Sequence, residues 1–464
     1  MSTSALRIFI IVLLGSSVLA QTAAVTPLPA PATPLPSESQ SAGVSRFSFI
    51  VYGDTRSRHD GIYIQPDHLM VVEGILGAIT RLRDTPYPVR FALFSGDGVV
   101  NGRDVLQWNK SFVDVASRLV RDGNIPYFMA AGNHDVTNGA TVDAPGRAEG
   151  LKNFLDLNAA LIPAERTPRR LAGFPTYAFG YGNTFFLALD SNIAADDTQF
   201  AWVKGQLEGL NRSRYVNVVV YFHHPVFSSG PHGGIVVEPS TAVLRTKYMP
   251  LFNAHHVNAL FAGHEHFFEH WVERYEDASG AHRMDLVVTG GGGAPPYDYL
   301  GEPETRTFNL ANHASMEHLV KPGMELGENP YHFVIVRVDG NRLAMEVVGV
   351  GRPVAGDLEA RLRIEAGRGL IEEENARAVH EGLDEYDLAL VACRVLAELA
   401  AGVELEGDPG DPDRDREAAA GETTTSPTSA TRYTIFCAAS STSSRHAAPR
   451  TATGSCRSMR STSS

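Results

Sequence analysis

SGDGVVNG at Ser95–Gly102 and AAGNHDVTNG at Ala130–Gly139 share one design. In each, an apolar run feeds a glycine, and the glycine feeds an acid, an amide or a histidine. Five clusters along the chain share the wider pattern of a hydrophobic strand followed by a turn bearing potential ligands. In order, the clusters are Gly53-Asp54-Thr55-Arg56, Gly96-Asp97-Gly98, Gly132-Asn133-His134-Asp135, His223-His224-Pro225 and Gly263-His264-Glu265-His266. A single Gly-Asp pair after a strand is usually only a turn, and a lone histidine at a strand end is more often structural than a ligand. Five such clusters, all at strand ends and all offering Asp, Asn or His, point to ligands for a metal. Open α/β sheets keep their sites at such strand ends.

Working outward, Phe47–Tyr52, Val89–Phe94, Tyr127–Ala131, Thr184–Leu189, Val216–Phe222, Ala259–Ala262 and Met284–Thr289 are short β-branched or aromatic runs. Asp67–Arg83 and Val105–Arg121 carry apolar residues at helical spacing, and Gln199–Leu210 does so more weakly. Their alternation predicts an α/β domain with mixed sheets over residues 46–352. Tyr331–Val338 and Arg342–Val350 read as a closing hairpin turned at Asp339-Gly340-Asn341.

The chain has 464 residues, ample for a buried core, and carries 53 Asp and Glu against 40 Lys and Arg. With no basic block, a stable nucleic-acid complex is not expected, while a phosphorylated small molecule or nucleotide remains open as substrate. The cysteines are Cys393, Cys437 and Cys456, so no disulfide can brace the predicted domain. At the N-terminus, Arg7, the apolar run Ile8–Leu14 and Val18-Leu19-Ala20 read as an export signal over residues 1–20, with an uncleaved anchor as the alternative. That implies a secreted or periplasmic protein with no membrane association beyond the signal. Residues 21–45, rich in Pro, Ala and Ser, read as an extended linker and not a packed element. Residues 357–405 read as a helical extension, and 407–464 as a low-complexity tail that is either disordered or the product of a shifted reading frame.

The ordered set resembles the calcineurin-like metallophosphoesterase superfamily, whose pattern is D-x-H, G-D, G-N-H-[DE], H and G-H-x-H. Gly263–His270 (GHEHFFEH), Leu189–Leu207 and Val287–Pro295 are similar to the purple acid phosphatase and secreted phosphohydrolase branch. The resemblance implies a four-layer α/β/β/α sandwich, two mixed sheets with helices outside. It implies two divalent or trivalent ions (Zn, Mn, Fe or Co), one held by Asp54, Asp97 and His266, the other by Asp97, Asn133, His223 and His264. His134 is then the proton donor to the leaving oxygen, and Asp135 either orients it or serves only as a turn acid. His232 matches a substrate-contacting histidine of purple acid phosphatases.

One departure stands out. Where the superfamily has D-x-H, this chain has Asp54-Thr55-Arg56, and the tyrosine that purple acid phosphatases place after the second motif is Val100. Arg56 cannot ligate a cation and is read as a clamp for a phosphate oxygen. His59 and His68 are the nearby residues able to fill the gap. The expected activity is hydrolysis of phosphate esters, monoesters first. A phosphodiesterase or nucleotide hydrolase on the same scaffold is the alternative within the class, and a non-catalytic binding module the alternative outside it. Substrate choice would lie in Thr137–Asp156 and Gly230–Lys247.

Overall fold

Alternation inside single strands decides the layering. In Arg46–Tyr52, Phe47, Phe49 and Val51 enter one apolar cluster while Ile50 and Tyr52 enter another, so both faces of the strand are covered. The computed structural model describes residues 24–56, 65–136, 142–233, 237–297, 301–323 and 329–350, together with the backbone of 432–437. Its strands are β1 (Arg46–Tyr52), β2 (Val89–Phe94), β3 (Tyr127–Met129), β4 (Tyr177–Tyr181), β5 (Thr184–Ala188), β6 (Asn217–Tyr221), β7 (Ala259–Ala262), β8 (Phe268–Asp277), β9 (Gly280–Thr289), β10 (Met316–Val320), β11 (Tyr331–Asp339), β12 (Arg342–Val350) and β13 (Arg432–Cys437). Its helices are α1 (Pro66–Leu82), α2 (Asp114–Arg121), α3 (Asn133–Val136), α4 (Arg147–Asn158), α5 (Asp197–Glu208), α6 (Pro239–Val243), α7 (Met249–Ala254) and α8 (Pro303–Asn312).

The first sheet runs β13-β12-β11-β1-β2-β3, the second β10-β8-β9-β7-β6-β5-β4. Both are mixed: β1, β2 and β3 are parallel, as are β5, β6, β7 and β9, with antiparallel strands at the flanks. Between the sheets lies an aromatic layer in which Phe49, Phe91, Phe179 and Phe186 meet edge-on or stacked at 4.9–5.7 Å. Outside the first sheet, α1, α2 and α4 supply Val71, Ile75, Leu119 and Phe154. Outside the second, α5 and α7 supply Val203, Leu207 and Phe252. The result is the expected α/β/β/α sandwich.

Several elements were not predicted, among them β4, β10, the helices α4, α7 and α8, and β8, whose sequence FEHWVERYED carries too many charges to announce a strand. Its outer half leaves the covered part of the sheet, so that charge meets solvent. Two expectations at the chain's ends need correcting. The segment before β1 is extended, but it is packed: Val25 and Leu28 are buried, Leu28 N donates to Leu157 O at 2.9 Å, and Glu38 accepts two bonds from Arg169 at 2.9 and 3.0 Å. Apolar residues between the prolines and one anchoring carboxylate are enough to hold it. Within the tail, RYTIFC at Arg432–Cys437, a β-branched and aromatic stretch, pairs antiparallel with β12. The rest of the tail, the helical extension and the export signal lie outside the described residues. No described helix is long and apolar enough to cross a membrane.

Candidate metal centre

Parallel strands bring their carboxyl ends to one edge, and that edge receives the five clusters. Asp54 follows β1, Asp97 follows β2, Asn133 follows β3, His223 follows β6 and His264 follows β7. The turns interlock. Asp54 N donates to Gly96 O at 2.9 Å, Thr55 N and Arg56 N donate to Asp97 O at 2.9 and 3.0 Å, and Gly263 N donates to His223 O at 3.0 Å. Asp54, Asp97 and His264 sit at φ 59°, 60° and 73°, in the left-handed region that non-glycine residues seldom occupy. Such strain persists only where the surroundings impose it, and it gathers at functional sites. The glycines are steric requirements. A Cβ on Gly132 would stand 2.1 Å from Asp97 Oδ1, and one on Gly263 would stand 2.1 Å from Asp54 Oδ2.

Nitrogen by nitrogen, each histidine has one face committed and one facing inward. His223 Nδ1 donates to Ser95 O at 3.0 Å, which turns Nε2 toward Asn133 Oδ1 at 2.7 Å, His264 Nδ1 at 3.1 Å and Asp97 Oδ2 at 3.4 Å. His264 Nε2 donates to Glu238 Oε2 at 3.1 Å, leaving Nδ1 inward. His266 Nδ1 donates to Pro295 O at 2.8 Å, leaving Nε2 3.8 Å from Asp54 Oδ1. A carbonyl or carboxylate on the far nitrogen is the usual way a protein fixes the tautomer of a metal-binding imidazole. Donor atoms of Asp97, His223 and His264 all lie within 4.8 Å of one another, and all three residues are buried.

Charge agrees with this chemistry. Burial and the Asp97 carboxylate push Asp54 well above the usual carboxylate range, although His223 and Arg56 work against them. Burial works against a charged His223, yet Asp97, Asp54 and Asp135 outweigh it and push the imidazole up to about 9. The pocket therefore calls for positive charge, which a cation among these oxygen and imidazole donors would supply. The donor set suits Zn, Mn, Fe or Co.

Of the other expected residues, His134 lies at the site, with Nε2 4.0 Å from Asp97 Oδ2 and Nδ1 donating to Val100 O at 2.8 Å. Asp135 does not orient it. That carboxylate is buried and accepts from the backbone N–H of Asp97, Gly98 and Gly132 at 2.9, 2.8 and 2.9 Å, so it binds two ligand loops together. Asp135 is therefore a cross-link between two turns and not the acid of a single turn, and it is the Val100 carbonyl that holds His134 Nδ1. Arg56 is 2% exposed, and its charge lowers both Asp54 and Asp97. His232 is in place, its ring 4.2 Å from that of His264 and its Nδ1 donating to Glu238 Oε1 at 3.0 Å. His68 is a core residue stacked on Phe112, 3.4 Å from the Tyr52 hydroxyl and pushed down to about 3 by burial. His59 lies outside the described residues.

Glu238 was missed. It accepts from His232 and His264 and lies 3.7 Å from His224 Nε2. Burial would raise its carboxyl, but the bonds from His232 and His264 hold it far below the usual range. Ser191 sets the third imidazole: its Oγ donates to His224 Nδ1 at 2.8 Å and accepts from His223 N and His224 N at 3.3 and 3.0 Å. Tyr297 was missed too, its ring stacked on His266 at 4.8 Å. Both stand in loops with no spacing to mark them.

Comparison with known proteins agrees with the geometry. The Calcineurin-like phosphoesterase family model matches residues 48–268. An Arabidopsis thaliana protein, Fe(3+)-Zn(2+) purple acid phosphatase 12, is 26% identical over 149 residues, covering 31% of this chain and 29% of its own. Serine/threonine-protein phosphatase CPPED1 of Rattus norvegicus is 23% identical over 232 residues, covering 48% and 64%. The chain thus spans only part of the length of these relatives. A purple acid phosphatase structure from yellow lupin (Lupinus luteus) seeds superposes with a TM-score of 0.51 at 19% identity, covering 69% of this chain and 53% of that one. Five candidate ligand clusters on one edge of an α/β/β/α sandwich thus fall within residues 48–268, the stretch that matches the Calcineurin-like phosphoesterase family model.

Proposed function

We propose that this chain is a metal-dependent phosphohydrolase that cleaves phosphate esters, with phosphomonoesters as the first class of substrate. The observation that carries this reading is the inward-facing nitrogen set, in which His223, His264 and His266 each have the opposite nitrogen held by a carbonyl or carboxylate. Asp97, Asn133, His223 and His264 would hold one ion, and Asp54, Asp97 and His266 a second. When bound, such cations supply Lewis-acid charge to a phosphoryl oxygen and acidify water.

The chain's own residues do the rest. His134 keeps Nδ1–H on Val100 O, so Nε2 is the atom that carries a proton to the leaving oxygen. His232, fixed through Nδ1 by Glu238, presents Nε2 to the phosphate side of the site beside Tyr297. Arg56 adds a buried cation next to both carboxylates, suited to an anionic substrate. We also propose export, from Arg7, Ile8–Leu14 and Ala20. An N-terminus near Gln21 in the exported protein supports it, and one at Met1 overturns it.

The activity test is release of p-nitrophenol from mono- and bis-p-nitrophenyl phosphate, after chelation and after return of zinc or manganese. Metal-restored turnover with the monoester faster is expected. A faster diester moves the assignment to a phosphodiesterase, and no metal-dependent turnover of either overturns the enzyme reading.

A further inference from the structure

At the far end of β7 from His264, a second group of histidines meets. His256 lies in the turn between α7 and β7, and Asp277 and His282 belong to the outer part of the β8–β9 hairpin. His256 Nε2 is 2.7 Å from Asp277 Oδ2, and His282 Nε2 is 2.9 Å from Asp277 Oδ1. The two imidazoles stack face to face, with centroids 4.0 Å apart and planes 11° apart, and both Nε2 atoms meet the same carboxylate, His282 Nε2 also lying 2.9 Å from Ser279 Oγ. Three donor atoms, one from each residue, all fall within 4.8 Å of one another.

Two further features show that the arrangement is built. His256 sits at φ 51°, left-handed backbone that a turn would ordinarily give to Gly or Asn. The hairpin is fastened to the same turn, since Tyr275 OH donates to Asn253 O at 3.1 Å and the Tyr275 ring stacks on His282 at 5.2 Å. Ser279 donates to Asp277 Oδ1 through N and Oγ at 2.7 and 2.6 Å, which fixes the carboxylate and leaves Oδ2 toward His256.

We infer that His256, Asp277 and His282 form a peripheral zinc site that pins the β8–β9 hairpin to the turn before β7. Two imidazoles and one carboxylate are a common zinc ligand set, with water completing the tetrahedron. Zinc–nitrogen bonds of ~2.0–2.1 Å place two tetrahedral ligand nitrogens roughly 3.3 Å apart, and because each such bond lies in its imidazole plane, the two rings must turn out of their parallel stack for both Nε2 atoms to reach one ion. Each ring keeps its proton on Nδ1 and offers Nε2 to the ion. The side chains are 19–39% exposed, so the ion has a path from solvent. This site is separate from the central one and does not depend on the proposed activity.

Zinc content after equilibrium dialysis at fixed free zinc, compared between wild type and the His256→Ala/His282→Ala double variant, tests it. The double variant is expected to hold one zinc fewer per chain, with phosphate-ester turnover unchanged. Equal zinc contents in folded proteins overturn the proposal. Asp277→Asn keeps the shape and both imidazoles, and serves if the double variant does not fold. It should weaken one class of zinc binding by roughly tenfold or more, the scale on which even outer partners of a zinc site count. A zinc isotherm unchanged by Asp277→Asn overturns the proposal equally.

Discussion

The two halves of the central site are built to different standards. In one, Asp97, His223 and His264 bring their donors within 4.8 Å, with Asn133 Oδ1 2.7 Å from His223 Nε2. In the other, Asp54 and His266 stand 3.8 Å apart, and the position two residues after Asp54 holds a buried arginine instead of an imidazole. The first half gathers two imidazoles, a carboxylate and an amide oxygen, the set proposed above to hold one ion. In the second, fixed positive charge from Arg56 already offsets part of the carboxylate charge. A guanidinium can balance a carboxylate, but it has no lone pair for a metal. The same fold edge can therefore keep its electrostatics while loosening its grip on an ion.

The largest expected effect comes from breaking the complete half. His223→Ala should reduce bound metal and lower turnover by ~10³-fold or more, since several kcal/mol of charge stabilisation go with the ion. The same change at His266 should cost less metal. Equal losses, read by metal analysis and kcat, would show the halves to be equivalent. Next comes His134→Asn, which should keep the metals and lose ~10²-fold in kcat. That loss should be smaller for p-nitrophenyl esters than for alkyl esters, whose leaving groups need the proton. If metal is lost as readily as in His223→Ala, His134 is a ligand and not a donor.

Glu238→Gln probes the carboxylate behind the complete half. Removing its charge should weaken metal affinity by about 10-fold, as measured by competition with a chelator. Unchanged affinity would leave Glu238 with only His232 to position. Arg56→His restores an imidazole to the incomplete half and should raise the number of tightly bound ions, with a smaller change in rate. An unchanged ion count would mean that the arginine is not what separates the halves.

The smallest effect lies outside both. Glu38, half-buried, is worked on first by burial, which raises its carboxyl, but bonds from Arg169 and Tyr215 prevail and hold it below its usual value. A carboxyl lowered in the folded state adds stability above its unfolded pKa, and that stability is lost as pH falls through the folded value. Glu38→Gln should therefore cost about 1–2 kcal/mol at neutral pH, with the difference from wild type shrinking below pH ~4. Denaturant midpoints at the two pH values measure it. No difference at neutral pH would mean that the segment before β1 contributes nothing to the domain.

Residue order alone determined the layers and the ligand edge. Strands such as VRFALF at β2 and NVVVY at β6 are apolar on both faces, which only a sheet covered on both sides can satisfy; β2 ends where a glycine admits a tight turn, and β6 runs into His223-His224-Pro225. Asp54, Asp97, Asn133, His223 and His264 were readable for that reason. Strand ends are local features, and parallel pairing carries them to one edge without further information. Tertiary structure decided what depends on approach between distant segments. Whether Asp135 turns toward His134 or toward three backbone N–H groups was settled by the packing of the β2 and β3 turns against each other. Glu238 reaches three imidazoles only because its loop folds over the ends of β6 and β7. His256 and His282 meet through a hairpin whose charged sequence, read alone, looks like surface. Side-chain partners more than a turn apart are chosen by shape and burial, and neither is written in local spacing.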